Sequence, residues 1–212
     1  MGTGMAKVAA ATAAYFLVHS LLANDGTKAL AADVFGQRRA DAWYRPFYLA
    51  QGLILLGLLA AYVRRQPGRD LYHATGARWW VLRGGQAAGL GLLAWAALCV
   101  GPGHLTGADN VAAWWAGADV PRMPDGQEPS PAADGTMRTD GPLGSSRHPL
   151  NWSLLLLFWP NPRMTTRLLA FNLVMTAYLV VGSLHAEAHM LRAYGDAYRG
   201  YVERVPFFAP GP

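Results

Sequence analysis

Apolar residues collect in long runs along this chain, separated by short arginine-rich stretches. The first run covers about 5–23, the second about 46–63 and the third about 79–100. Each approaches the roughly 20 residues that a helix rising 1.5 Å per residue needs to cross a bilayer core. The stretches between them carry Arg38, Arg39 and Arg45, then Arg64, Arg65, Arg69 and Arg78. Trp79 and Trp80 open the third run as an interfacial aromatic pair. The pattern changes over 101–146, where Pro121, Pro124, Pro129, Pro131 and Pro142 mix with Gly, Asp and Ser. This reads as an extra-membrane loop, mobile near Asp125–Gly135.

A short apolar run, 149–160, then covers only about half of a crossing. Pro160-Asn161-Pro162 stops it, and a long run over about 165–192 goes back. The pair predicts a helical hairpin. Gly195 reads as the stop of the long helix, and 196–204 as a short amphipathic helix with Tyr198 and Tyr201 one turn apart. The expected fold is an all-α integral membrane protein of about five transmembrane helices in a single domain. Lys7 before an apolar stretch has the look of a secretory signal. However, His19 and Ser20 interrupt the run and no A-x-A site precedes Asn24, so the segment reads as a retained helix.

Composition sharpens the picture. Of the 212 residues 52% are hydrophobic and 15% charged, which argues against a soluble enzyme or a disordered chain. The single Cys99 excludes an internal disulfide. The net charge of +5 comes mostly from arginine, and short loops of a membrane protein place such charge at headgroups rather than on nucleic acid. Lys and Arg divide too evenly between the two sides for charge to set the orientation.

Polar groups in or beside membrane helices mark candidate chemistry. In Arg147-His148-Pro149 the proline takes the first helical position and His148 the N-cap. Such a helix start offers N–H groups to an anion, and Arg147 can grip a carboxylate with two prongs; an ordinary helix start at the headgroups has the same sequence. Glu187 is a carboxylate for a cation, a general base, or a solvated interfacial group. His185 and His189 share one helix face, as a metal or haem site requires, but no further His or Cys cluster completes a metal's ligand shell. His19 is either a hydrogen-bonded structural histidine or the lining of a substrate cavity.

The C-terminal third resembles a known group. Asp140-Gly141-Pro142-Leu143, Arg147-His148-Pro149-Leu150-Asn151, Glu187, Tyr194-Gly195-Asp196-Ala197-Tyr198, Tyr201 and Val205-Pro206 follow the motif order of the integral-membrane S-adenosylmethionine-dependent methyltransferase superfamily. That superfamily includes the isoprenylcysteine carboxyl methyltransferase and phospholipid methyltransferase types. Phe16-Leu17-Val18-His19-Ser20-Leu21-Leu22, Tyr44-Arg45 with Tyr48, and Pro162-Arg163-Met164-Thr165 look like its NnrU-type and methanethiol S-methyltransferase branches.

The resemblance implies S-adenosylmethionine as cofactor, S-adenosylhomocysteine as product, and a small or lipophilic acceptor such as a thiol. It implies cofactor binding by Gly141, Pro142, Arg147, His148, Pro149, Leu150, Asn151, Glu187, Tyr198 and Tyr201, covered by the tail 193–212. Catalytic candidates are His148, Glu187 and His19; acceptor-site candidates are His19, Tyr48 and Trp152. A site at the cytoplasmic face of a bacterial inner membrane is also implied. The family's Glu pair is reduced to Ala186-Glu187 here, and Leu143 and Asn151 replace the frequent aromatics. Those departures keep open an NnrU-type non-methylating protein, either a haem-binding isomerase or an accessory factor in nitrogen-oxide metabolism.

Overall fold

The computed structural model describes residues 2–122 and 135–208, so the stretch expected to be mobile, apart from Gly135, lies outside the described residues. Among the described residues four helices are long and apolar enough to cross a membrane: Thr3–Ala23 within α1 (Gly2–Ala23), α3 (Gln37–Arg65), α4 (Gly76–Val100) and α8 (Thr166–Arg204). A shorter apolar helix, α7 (Pro149–Phe158), accompanies them. Leu17, Leu53, Ile54 and Val181 on these helices are each 60% exposed or more. Large apolar side chains left so uncovered belong against lipid. The chain is an all-α integral membrane protein.

Two stretches expected to lack structure are partly helical. The polar segment after α1 forms α2 (Asp25–Phe35), and α3 starts at Gln37, well ahead of the expected boundary near 46. Pro46 therefore sits inside α3 instead of opening it. The start of the 101–146 segment forms α5 (Pro102–Thr106) and α6 (Ala108–Trp115). Polar composition misled in both places, because a helix outside the apolar layer needs no apolar run.

The chain divides into two compact units, Met1–Pro67 with Val100–Gln127, and Gly68–Cys99 with Glu128–Pro212. In the first, α1 packs on α3, and Tyr44 donates its hydroxyl to the Leu22 carbonyl at 2.6 Å. Asn24 caps α2 by accepting from the Gly26 N–H. Asn110 of α6 donates to the Asp41 carbonyl at 2.8 Å, tying α6 to the early turns of α3. Gly107, at φ 78°, lets this loop pass Pro46, where a Cβ would lie 2.7 Å from the proline ring.

In the second unit the α7–α8 hairpin is laced by polar ties. Trp159 Nε1 donates to Thr176 Oγ1 at 2.9 Å, Asn172 donates to the Phe158 carbonyl at 3.2 Å, and Asn151 donates to Ser183 Oγ at 2.8 Å. Helix α4 runs close against α7 at Gly89, where a Cβ would stand 2.6 Å from the Leu157 nitrogen. The proline turn at 160–162 leads into a short strand that the sequence reading does not foresee. Strand β2 (Arg163–Thr165) pairs antiparallel with β1 (Asp70–His73), clamped by a two-pronged Arg163–Asp70 ion pair at 2.9 and 3.0 Å. Gly195 breaks the helical path of α8 at φ 52°, ψ −120°, and the helix resumes to Arg204.

Candidate functional site

The R-H-P motif folds as its residue types dictate. Pro149 occupies the first turn of α7, and His148 is the N-cap with an extended φ of −126°. The His148 backbone N–H is taken by Ser146 Oγ at 3.2 Å. This leaves the imidazole directed elsewhere: it gives α7 no side-chain cap.

Glu187 of α8 receives both neighbours of the motif. Its Oε1 lies 2.7 Å from Arg147 Nε and 3.2 Å from His148 Nε2. All three side chains are sheltered, at 11% exposure for Arg147, 4% for His148 and 15% for Glu187. The arginine contact is close but poorly aligned, so Arg147 Nε has no true hydrogen-bond acceptor among the described residues. A carboxylate only accepts, so His148 Nε2–H donates and Nδ1 carries the lone pair. Burial, and then the positive charge of Arg147, lower the His148 pKa to about 4. The imidazole is neutral at physiological pH.

The tail returns to cover this trio. The Arg147 N–H donates to the Pro206 carbonyl at 2.9 Å, its Nη1 to the Val202 carbonyl at 3.1 Å, and Ser146 Oγ to the Phe207 carbonyl at 3.3 Å. Phe207 stands edge-on to His148 at 4.9 Å and lies under the Arg147 guanidinium at 5.6 Å. Phe208 stacks against Trp152 with centroids 6.4 Å apart. These two phenylalanines and Ser183 are the site residues that sequence reading missed. The available signal was the pair of aromatics directly after Val205-Pro206.

The other expected residues fall as follows. Tyr198 and Tyr201 are buried in a core with Met137, Met190 and Val205, and the Tyr201 hydroxyl donates to the Leu143 carbonyl at 2.7 Å. Both hold the tail in place. Gly141 and Pro142 form a single 3-10 turn, Gly141–Gly144, that carries Leu143 to Tyr201. Leu150 and Asn151 follow Pro149 in the first turn of α7, half-buried, and Asn151 binds Ser183. His19 and Tyr48 belong to the first unit, where His19 Nε2 and Tyr48 Oη form a 2.6 Å hydrogen bond. His185 is exposed and His189 half-buried on α8.

No protein-family model matches the chain, and neither does any solved structure. Curated proteins do. A methanethiol S-methyltransferase of Pseudomonas deceptionensis is 33% identical over 86 residues, 41% of this chain and 33% of that protein. Methanethiol S-methyltransferase 2 of Bradyrhizobium diazoefficiens is 41% identical over 64 residues, 30% of this chain and 25% of its own. The methanethiol S-methyltransferase of Mycobacterium tuberculosis is 36% identical over 66 residues, 31% and 27% of the two chains. Each match thus spans about a third or less of the relative's length. Over that part of its length, this integral membrane chain is similar to the methanethiol S-methyltransferases.

Proposed function

We propose that the chain is an S-adenosylmethionine-dependent methyltransferase whose acceptor is a small thiol. The observation that carries the reading is the sheltered Arg147–Glu187 pair, in which Arg147 Nε lacks an aligned acceptor. An amino-acid head presents one carboxylate and one ammonium, and this pair offers one group to each. Arg147 and the open N–H groups at the start of α7 suit the carboxylate; Glu187 suits the ammonium. Trp152, Phe207 and Phe208 supply aromatic faces for an adenine ring or a sulfonium. The donor fits the residues present.

When bound, the cofactor supplies a methyl group on an already electrophilic sulfonium. A thiol acceptor would take up that methyl group as a thioether, S-adenosylhomocysteine would be left, and the thiol proton would pass to solvent water. The protein's share is positioning and exclusion of water. Arg147 and Glu187 orient the donor's head. His148, neutral with a pKa near 4, is too weak a base to keep the thiol proton, and serves by holding the Glu187 carboxylate. Phe207 and Phe208 keep water from the trio. The bacterial relatives support a bacterial inner membrane, with the site on the cytoplasmic side where the cofactor is made.

The test is the thermal midpoint of the detergent-purified protein with S-adenosylhomocysteine. A ligand at 100 times its Kd stabilises by about 2.7 kcal/mol. The midpoint should rise in the wild type and not in Glu187→Ala, and labelled cofactor should pass its methyl group to methanethiol. Absence of any shift at millimolar ligand would overturn the reading.

A further inference from the structure

The first turns of α4 carry a charge that nothing in the methyl-transfer reading uses. Arg83 is an exposed residue of this apolar span, about 10 Å along the helix from its start at Gly76. A guanidinium at that depth is costly unless it reaches the headgroups or meets an anion. Helical side chains lean toward the helix N-terminus, so this one leans back toward the membrane surface.

The guanidinium is held in place. Its Cζ stands 5.3 Å from the centroid of the Trp79 ring, and Nη1 donates to Gln86 Oε1 at 2.7 Å. Gln86 is fixed in turn by donating to the Leu157 carbonyl of α7 at 3.1 Å. That bond uses one of the five N–H donors of a guanidinium. Arg83 has no carboxylate partner among the described residues.

The surroundings are basic. Pairing of β1 with β2 brings the approach to α4 and the start of α8 to one end of the second unit. Arg69, Arg78, Arg83, Arg163 and Arg167 lie there against a single acid, Asp70, which Arg163 already holds at 2.9 Å. Trp79 and Trp80 stand edge to face at 4.6 Å, and Trp80 is 71% exposed, as suits the interfacial layer. Open N–H donors fixed at that layer match the oxygens of a phosphate. The excess of arginine favours a headgroup of net negative charge, because a zwitterionic one brings its own cation.

We propose that the start of α4 binds the headgroup phosphate of an anionic phospholipid, gripped by Arg83 beside Trp79, with Arg78 adding to the attraction. The site is at the end of the second unit where α8 begins, about 30 Å along that helix from Glu187, and stands apart from the methyl-transfer site.

The experiment is native mass spectrometry of the intact detergent-purified protein, titrated with phosphatidylglycerol or with phosphatidylcholine of the same chains. The wild type should hold its first phosphatidylglycerol about fivefold more tightly than phosphatidylcholine, and Arg83→Gln should lose that preference. This variant should keep its lipid-free thermal midpoint, because the position is exposed. Arg83→Lys keeps the charge without the planar fork and should fall between the two. Arg192→Gln, at an exposed position on the far part of α8, should bind as the wild type does. Millimolar inorganic phosphate should not displace the lipid. Equal retention of the two lipids by the wild type, an undiminished preference in Arg83→Gln, an equal loss in Arg192→Gln, or displacement by inorganic phosphate would overturn the proposal. Unfolding of both Arg83 variants would do the same, since it would give the guanidinium a structural role.

Discussion

His148 Nε2 donates to Glu187 Oε1 at 3.2 Å, joining the start of the short membrane helix to the far part of the long one. The same oxygen lies 2.7 Å from Arg147 Nε. One carboxylate therefore holds both residues of the motif before Pro149, and the tail from Val202 to Phe208 closes over them through backbone carbonyls and aromatic rings. The arrangement combines a half-buried ion pair with a neutral imidazole, and the first two predictions separate their contributions.

Removing one charge of the pair strands the other. Glu187→Gln leaves the half-buried Arg147 without its counter-charge and should destabilise the protein by about 1–3 kcal/mol, whereas replacing both by apolar residues of similar volume should come out near neutral. Unfolding midpoints of Glu187→Gln and of Arg147→Met/Glu187→Leu check this. Both variants should lose the stabilisation by S-adenosylhomocysteine.

Acid should act on His148 with a definite sign. Its folded-state pKa is lowered from 6.5 to about 4, so the unfolded chain takes up the proton first. The neutral state is matched above pH 6.5, and stability falls as the pH drops from there through about 4, by up to about 1.4 kcal/mol per pH unit. Unfolding midpoints between pH 4 and 7.5 should show this decline in the wild type. In His148→Gln the part of the decline due to this residue should vanish.

Glycines of α4 should differ by their surroundings. Gly89→Ala puts a Cβ 2.6 Å from the Leu157 nitrogen, a backbone atom that cannot swing aside. Overpacking of about 1–3 kcal/mol should outweigh the roughly 1 kcal/mol gained in helix propensity. Gly91 has nothing within 4 Å of such a Cβ. Gly91→Ala should be neutral or stabilising by up to about 1 kcal/mol. Thermal midpoints of the two variants give the comparison.

The bend at Gly195 should govern the tail. Its φ of 52° with ψ of −120° suits glycine alone, and an alanine there costs about 1–3 kcal/mol, which a straightened helix would relieve. Straightening would draw Tyr198 and Tyr201 out of their core. Gly195→Ala should therefore keep its helical circular dichroism, become cleavable by protease in the segment that follows position 195, and lose its midpoint shift with S-adenosylhomocysteine.

The membrane spans, the short-then-long hairpin, the break at Gly195 and the helix start at Pro149 are legible in the residue order. These follow from run length, from proline's missing N–H and from glycine's freedom, all of which act within a few residues. The residue order also singles out Arg147, His148 and Glu187 as chemically suspect, because charge beside a bilayer is expensive. Local patterns also misled: the polar residues before Pro46 are helical, and Arg163–Thr165 is a strand only because Asp70–His73 lies beside it. Packing between helices brings Glu187 to both members of the motif, returns Phe207 and Phe208 over them, and buries Tyr198 and Tyr201 beneath the tail. Each of those facts is a contact between residues distant along the chain. Such contacts depend on how whole helices pack, and the spacing of residues along any one helix does not carry them.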